Sequence, residues 1–106
     1  MKVDSKILNK IKGVASEKIP DSEIYLYGSR ARGDFKELSD WDILVLLKRQ
    51  SLSFDSETKI MDLFYDLELE TGQVITPLIY SKKDWEENHS FTPLYSNILK
   101  EGVKIK

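Results

Sequence analysis

Apolar residues recur at helical spacing through residues 4–18, at Ile7, Leu8, Ile11, Val14 and Ala15, and predict an amphipathic helix capped by Asp4 or Ser5. Pro20-Asp21-Ser22 breaks that pattern, and a strand follows over residues 23–28. A short helical turn covers residues 29–33, and the polar stretch Asp34–Leu38 forms a lip beside it. From Ile43 to Leu47 every residue is apolar, with no alternation, which predicts a strand covered on both faces near the middle of a sheet. Ser53 or Asp55 caps a second amphipathic helix, 55–71, which buries Ile60, Leu63, Phe64 and Leu67 and ends at Gly72. A third strand occupies 73–80, where Pro77, lacking an N–H, points to an edge strand or a bulge. Ser81 with Asp84 resembles a capping box and opens a short helix through Glu87. Thr92-Pro93 starts the last helix, which carries Leu94, Tyr95, Ile98 and Leu99 on one face and closes at Gly102.

This order predicts an α/β (α+β) fold: a small mixed sheet of at least three strands, 23–28, 42–47 and 73–80, backed by helices 4–18 and 55–71. With 106 residues and no linker or repeat, the expectation is one domain, 1–106, whose core is small enough that a partner subunit or a homo-oligomer would complete it. The chain is 41% hydrophobic and 32% charged, a globular composition. A net charge of −2 speaks against general nucleic-acid binding, so any phosphate contact must be local. Without cysteine there is neither a disulfide framework nor a thiolate zinc site. No apolar run approaches the roughly 18 to 20 residues of a membrane span, so no membrane association is expected and the cytoplasm is the default location.

Candidate chemistry lies between the first two strands. Gly28 permits a sharp exit from the first strand, and Ser29 is placed to cap the turn that follows, where N–H groups favour an anion such as phosphate. With ten residues between, Ser29 is followed by Asp40, Trp41 and Asp42 at the head of the second strand. Two residues apart on a strand, the carboxylates leave the same face and converge. Like charges held together call for a cation, and an all-oxygen donor set suits Mg²⁺. Trp41 points the other way, into the core.

Gly28, Ser29, Asp40 and Asp42, with Arg30-Ala31-Arg32-Gly33 and Ser39 between them, resemble the signature of the DNA polymerase β-like nucleotidyltransferases. Within these the chain is most similar to the minimal nucleotidyltransferases that accompany HEPN toxins. The resemblance is tightest over 24–47 and looser to the C-terminus, where 91–103 looks like the tail of the same small proteins. It implies the polymerase β-like palm fold, ATP as substrate, and two Mg²⁺ ions held by Asp40 and Asp42 as catalytic metal ligands. It also implies nucleotide binding by Gly28, Ser29, Arg30 and Arg32. Considered singly, each arginine is expected to face solvent, while two on one turn beside an anion site make a phosphate contact by at least one of them. The activity implied is AMP transfer from ATP to a hydroxyl, a tyrosine of a HEPN-type partner, in an antitoxin role.

One element of the family pattern is missing. Active members carry a third carboxylate on the strand after the middle helix, and the strand 73–80 has none. Alternation puts Thr76 at the vacant position, and Glu68 or Glu70 could substitute only if the helix end turned toward the site. The alternative is therefore a weak or inactive module that neutralises a partner by binding. A subunit acting on a small molecule such as an aminoglycoside is a third reading, for which no acceptor-binding extension is visible. His89, Lys82 and Lys83 read as solvated surface, and Trp85, Phe91 and Tyr95 as packing residues or a partner surface.

Overall fold

The computed structural model describes residues 5–106, so the cap expected at Asp4 lies outside the described residues. Helix α1 (Ser5–Lys18) leads through a turn to strand β1 (Ser22–Tyr27), a single helical turn α2 (Ser29–Arg32) and strand β2 (Trp41–Leu47). Helix α3 (Phe54–Thr71), strand β3 (Ile75–Ser81), helices α4 (Lys82–Asn88) and α5 (Pro93–Glu101) and strand β4 (Val103–Lys104) complete the order. The sheet runs β3-β2-β1-β4, with β1 antiparallel to β2 and β4 and with β2 parallel to β3. The mixed sheet and its three main strands follow the apolar pattern, and β2 lies inside the sheet as its unbroken apolar run demanded. Pro77 sits on β3, which among the described residues pairs only with β2 and is an edge.

Side chains alternate across β2. Trp41, Ile43, Val45 and Leu47 face α1 and α3 together with Ile24 and Leu26 of β1 and Ile75 and Ile79 of β3, all buried. Asp42, Leu44 and Leu46 leave the opposite face, where Leu44 and Leu46 pack with Trp85 of α4 and Ile98 of α5. The second face carries the chemistry at its open end, because α4 and α5 cover only its apolar part.

The caps of α3 and α5 form where the sequence placed them. Ser53 and Thr92 accept the amides of Ser56 and Tyr95, and Gly72 ends α3 in the left-handed conformation at φ 71°. Ser81 accepts the Asp84 amide, but the box is half formed, since the Asp84 carboxylate instead accepts from Asn88 Nδ2 at 2.7 Å. Strand β4 had no expectation attached to it. It is two residues long, and the tail beyond it is fastened to β1 by Ile105 N–H to Ile24 O and by Lys106 Nζ to Ser22 O at 2.7 Å.

Candidate functional site

Gly28 turns the chain out of β1 with φ +75°, a conformation that costs a side chain dearly. It also backs directly onto Asp42: a β-carbon at this position would collide with Asp42 Oδ2 and stand 3.3 Å from Cγ. The glycine is thus required twice, by its backbone and by the carboxylate lodged against it. Ser29 differs from expectation. Gly28, not Ser29, is the residue flanking α2, no side chain caps the turn, and Ser29 is its first helical residue. Its hydroxyl is therefore free of capping duty beside the acids.

Register sets three polar residues in one row across the open end of the second face. Asp42 pairs with Tyr27 on β1 and with Thr76 on β3, and Asp40 precedes β2 by one residue with its side chain exposed. Partial burial raises the Asp42 carboxyl above the usual carboxylate range, the Asp40 charge adds to the rise, and Arg32 opposes it. Burial, then the Asp42 charge, then Tyr80 push the Tyr27 phenol up to about 12. Sequence reasoning did not single out Tyr27. The signal was present in the antiparallel pairing of two strands joined by a known spacing, but the register was not fixed until the structure gave it.

The two arginines part company. Arg30, expected in solvent and among the nucleotide-binding residues, is 4% exposed. Its Nη2 donates to the carbonyls of Ser39 at 2.8 Å and Glu37 at 3.1 Å. The guanidinium lies between the rings of Phe35 and Trp41, 4.4 Å from each centroid. Arg30 therefore clamps the 34–39 loop, its guanidinium held by two loop carbonyls and two ring faces. Arg32 is exposed, with Nε on Asp34 and Nη1 on Glu101 at 3.2 Å each. Among the described residues those two carboxylates leave both Nη2 hydrogens without an acceptor, available to a phosphate. Glu101, at the end of α5 and 69 residues from Arg32, carried no local sequence signal for this role.

Other sequence expectations resolve away from the site. Glu68 Oε1 accepts the Ile75 amide at 2.8 Å and Glu70 pairs with Lys10, so neither α3 acid reaches the opposite face where Asp42 lies. Lys82 is not simply solvated: its Nζ meets the buried Glu23 at 2.7 Å, which holds that carboxyl below its usual range. His89 is half-buried against Tyr80, with Nε2 3.2 Å from Asp84 Oδ2, while Phe91 is 82% exposed. Trp41 is fully buried, its Nε1 donating to Gln73. A cleft of about 450 Å³ beside Gln50, Tyr80 and Lys83 lies at the far ends of β2 and β3 from the acids and brings together no comparable set.

Asp40 and Asp42 form a hard, all-oxygen donor pair whose mutual repulsion a divalent cation would relieve, so the residues present fit Mg²⁺. Among the described residues no three His, Cys, Asp or Glu side chains gather to hold a metal unaided. Remaining ligands would have to come from the nucleotide and water.

Residues 8–105 match the family described as nucleotidyltransferase domain. The chain is 37% identical over 59 residues to the putative protein adenylyltransferase MJ0141 of Methanocaldococcus jannaschii, covering 56% of this chain and 59% of that protein. It is 35% identical over 80 residues to MJ0604 of the same organism, also a putative protein adenylyltransferase, covering 76% and 73%. The chain thus spans less than two thirds of the first relative. In structure it resembles a toxin-antitoxin crystal structure with AMP-PNP at TM-score 0.69 and 22% identity, covering 93% of this chain and 72% of that one. It also resembles tri-AMPylated Shewanella oneidensis HEPN toxin in complex with MNT antitoxin at TM-score 0.62 and 19% identity, covering 96% and 71%. At such identities the likeness establishes the fold.

Proposed function

Because the chain belongs to the nucleotidyltransferase domain family, with residues 8–105 matched, we propose that it is an Mg²⁺-dependent transferase moving AMP from ATP to a hydroxyl. The acceptor we propose is a tyrosine of a HEPN-type partner, and the setting the cytoplasm, where ATP is available. The observation that carries this reading is the Asp42 carboxylate lodged against the Gly28 backbone, with the Asp40 charge acting on that same carboxylate.

In the reaction the acceptor oxygen bonds to the α-phosphorus as the bond to pyrophosphate breaks, and the hydroxyl proton is released. Asp40 and Asp42 would hold Mg²⁺, which supplies charge neutralisation of the triphosphate and of the leaving oxygen. Ser29, through its hydroxyl and backbone N–H, binds a phosphate oxygen. Arg32, steadied by Asp34 and Glu101, offers its free Nη2 hydrogens to the phosphates and loses little side-chain entropy in doing so. Arg30 acts one step removed, fixing the loop that delivers Ser39 and Asp40.

A second reading is favoured by one observation. Thr76, exposed and paired with Asp42, occupies the register position where a third carboxylate would serve as general base, and a hydroxyl cannot take a proton at neutral pH. On that reading the protein neutralises its partner by contact. Incubation with α-labelled ATP, Mg²⁺ and a HEPN protein separates the two. Label on a partner tyrosine supports transfer; a stable complex without label supports the binding module.

A further inference from the structure

Helix α3 covers one face of the sheet with Ile60, Phe64 and Leu67 and leaves a second apolar stripe in solvent. Met61, Tyr65 and Leu69 are 42%, 57% and 68% exposed, and Phe54 at the start of the helix is 84% exposed. Residues 61, 65 and 69 are spaced i, i+4, i+8, so they form one line about 12 Å long at a rise of about 1.5 Å per residue. Solitary exposed apolar residues are ordinary; a line of large ones along one helix is a contact surface.

Charge tells what would cover it. Six carboxylates and one lysine lie on α3, in a chain whose net charge is only −2. Lys59 pairs with Asp55, Glu70 with Lys10, and Glu68 with the Ile75 amide. Glu57, Asp62 and Asp66 have no side-chain partner among the described residues. By helical geometry Asp62 and Asp66 follow Met61 and Tyr65 by one position each and form an acidic border to the stripe. A second copy of this helix would oppose acid to acid, and an anionic surface laid along the stripe would meet the Asp62–Asp66 border, with Lys18 of α1 lying beyond it in the groove beside Asp66 and Glu70.

We propose that α3 docks an amphipathic helix of another protein, one whose apolar residues at i, i+3 and i+4 spacing are flanked by lysine or arginine. The apolar line supplies burial, and the acidic border supplies orientation and on-rate. Since α3 lies on the opposite sheet face from Asp42, such a partner and the nucleotide site are occupied independently, and the inference does not rest on the transferase reading.

The test uses a fluorescein-labelled synthetic helix with leucines on one face and lysines on both borders, and a matched peptide with glutamate borders. The lysine peptide is expected to bind the wild-type chain, more weakly as salt rises, and the glutamate peptide not to bind. Tyr65→Ser with Leu69→Ser should weaken binding at least about tenfold, the effect expected of losing central apolar anchors. Both sites are on the surface, and a thermal melt unchanged from wild type shows the variant folded. Asp62→Lys with Asp66→Lys should weaken it without touching the stripe. Equal binding of the two peptides, equal binding by wild type and variants, or no binding overturns the proposal. Self-association of the wild type that Tyr65→Ser with Leu69→Ser abolishes would assign the surface to a second copy instead.

Discussion

The carboxylate of Asp42 occupies the space a side chain on Gly28 would need, and this contact joins the exit of β1 to the head of β2. Replacing the glycine by alanine meets two obstacles, a left-handed backbone at φ +75° and the carboxylate itself. The backbone alone costs about 1–3 kcal/mol, visible as a drop in melting temperature. Moving the carboxylate should cost more in function than in stability. Gly28→Ala is therefore expected to remain folded and to lose Mg²⁺-dependent ATP binding by tenfold or more, measured by calorimetry on the folded variant.

Asp42 also sets a pH dependence. Burial and the neighbouring Asp40 raise its carboxyl above the ordinary 3.8, so the folded chain holds that proton more tightly than the unfolded one. The stability this contributes is full below the unfolded value and is lost as pH rises through the raised folded value. At neutral pH the ionised group is thus a burden on the fold. Asp42→Asn should melt higher than wild type at pH 7, and the difference should vanish on acidification below about pH 4. A lower melting temperature at pH 7 would contradict the assignment of cause.

Arg30 should matter through the loop it anchors. Arg30→Ala leaves the Ser39 and Glu37 carbonyls without their donor and removes a cation from between two rings, a loss of about 2–4 kcal/mol. Hydrogen exchange should show faster exchange through residues 34–39. Arg30→Lys keeps the charge and should still be destabilised, because one ammonium cannot replace the planar fork.

These cases mark where the sequence was legible. Strand β2 and the amphipathic helices follow from periodicity, and Ser53, Thr92 and Gly72 act as their residue types require. The face on which Asp42 lies follows from alternation along β2, whereas Asp40 stands one residue before the strand. What escaped were contacts made across long separations. The aromatic pair around Arg30 needs the folded loop, the Glu101 partner of Arg32 comes from the other end of the chain, and β4 is a strand only because β1 offers its edge.

Thr76 decides between the two functional readings. Its register beside Asp42 makes Thr76→Asp a direct means of adding a proton acceptor and an oxygen ligand at the open end of the face. A positioned base contributes about 10²–10⁴-fold, so AMP transfer should rise by a factor within that range. Pro77→Asp, on the core face beside Ile43, serves as the control and should add no activity. If Glu68→Gln abolished wild-type transfer while leaving the fold intact, the placement of Glu68 on the far face would be wrong.

The central claim is that Asp40 and Asp42 with Ser29 form a nucleotide site that requires a divalent cation, and isothermal calorimetry of ATP binding tests it most directly. Wild type should bind ATP with Mg²⁺ and lose most of that affinity with EDTA, while Asp40→Asn and Asp42→Asn each reduce it at least about tenfold, since each removes a charged ligand. Thr76→Ala, which removes only a neutral hydroxyl, should bind nearly as the wild type does. Equal ATP affinity in wild type and Asp42→Asn with Mg²⁺ present would contradict the assignment of this site.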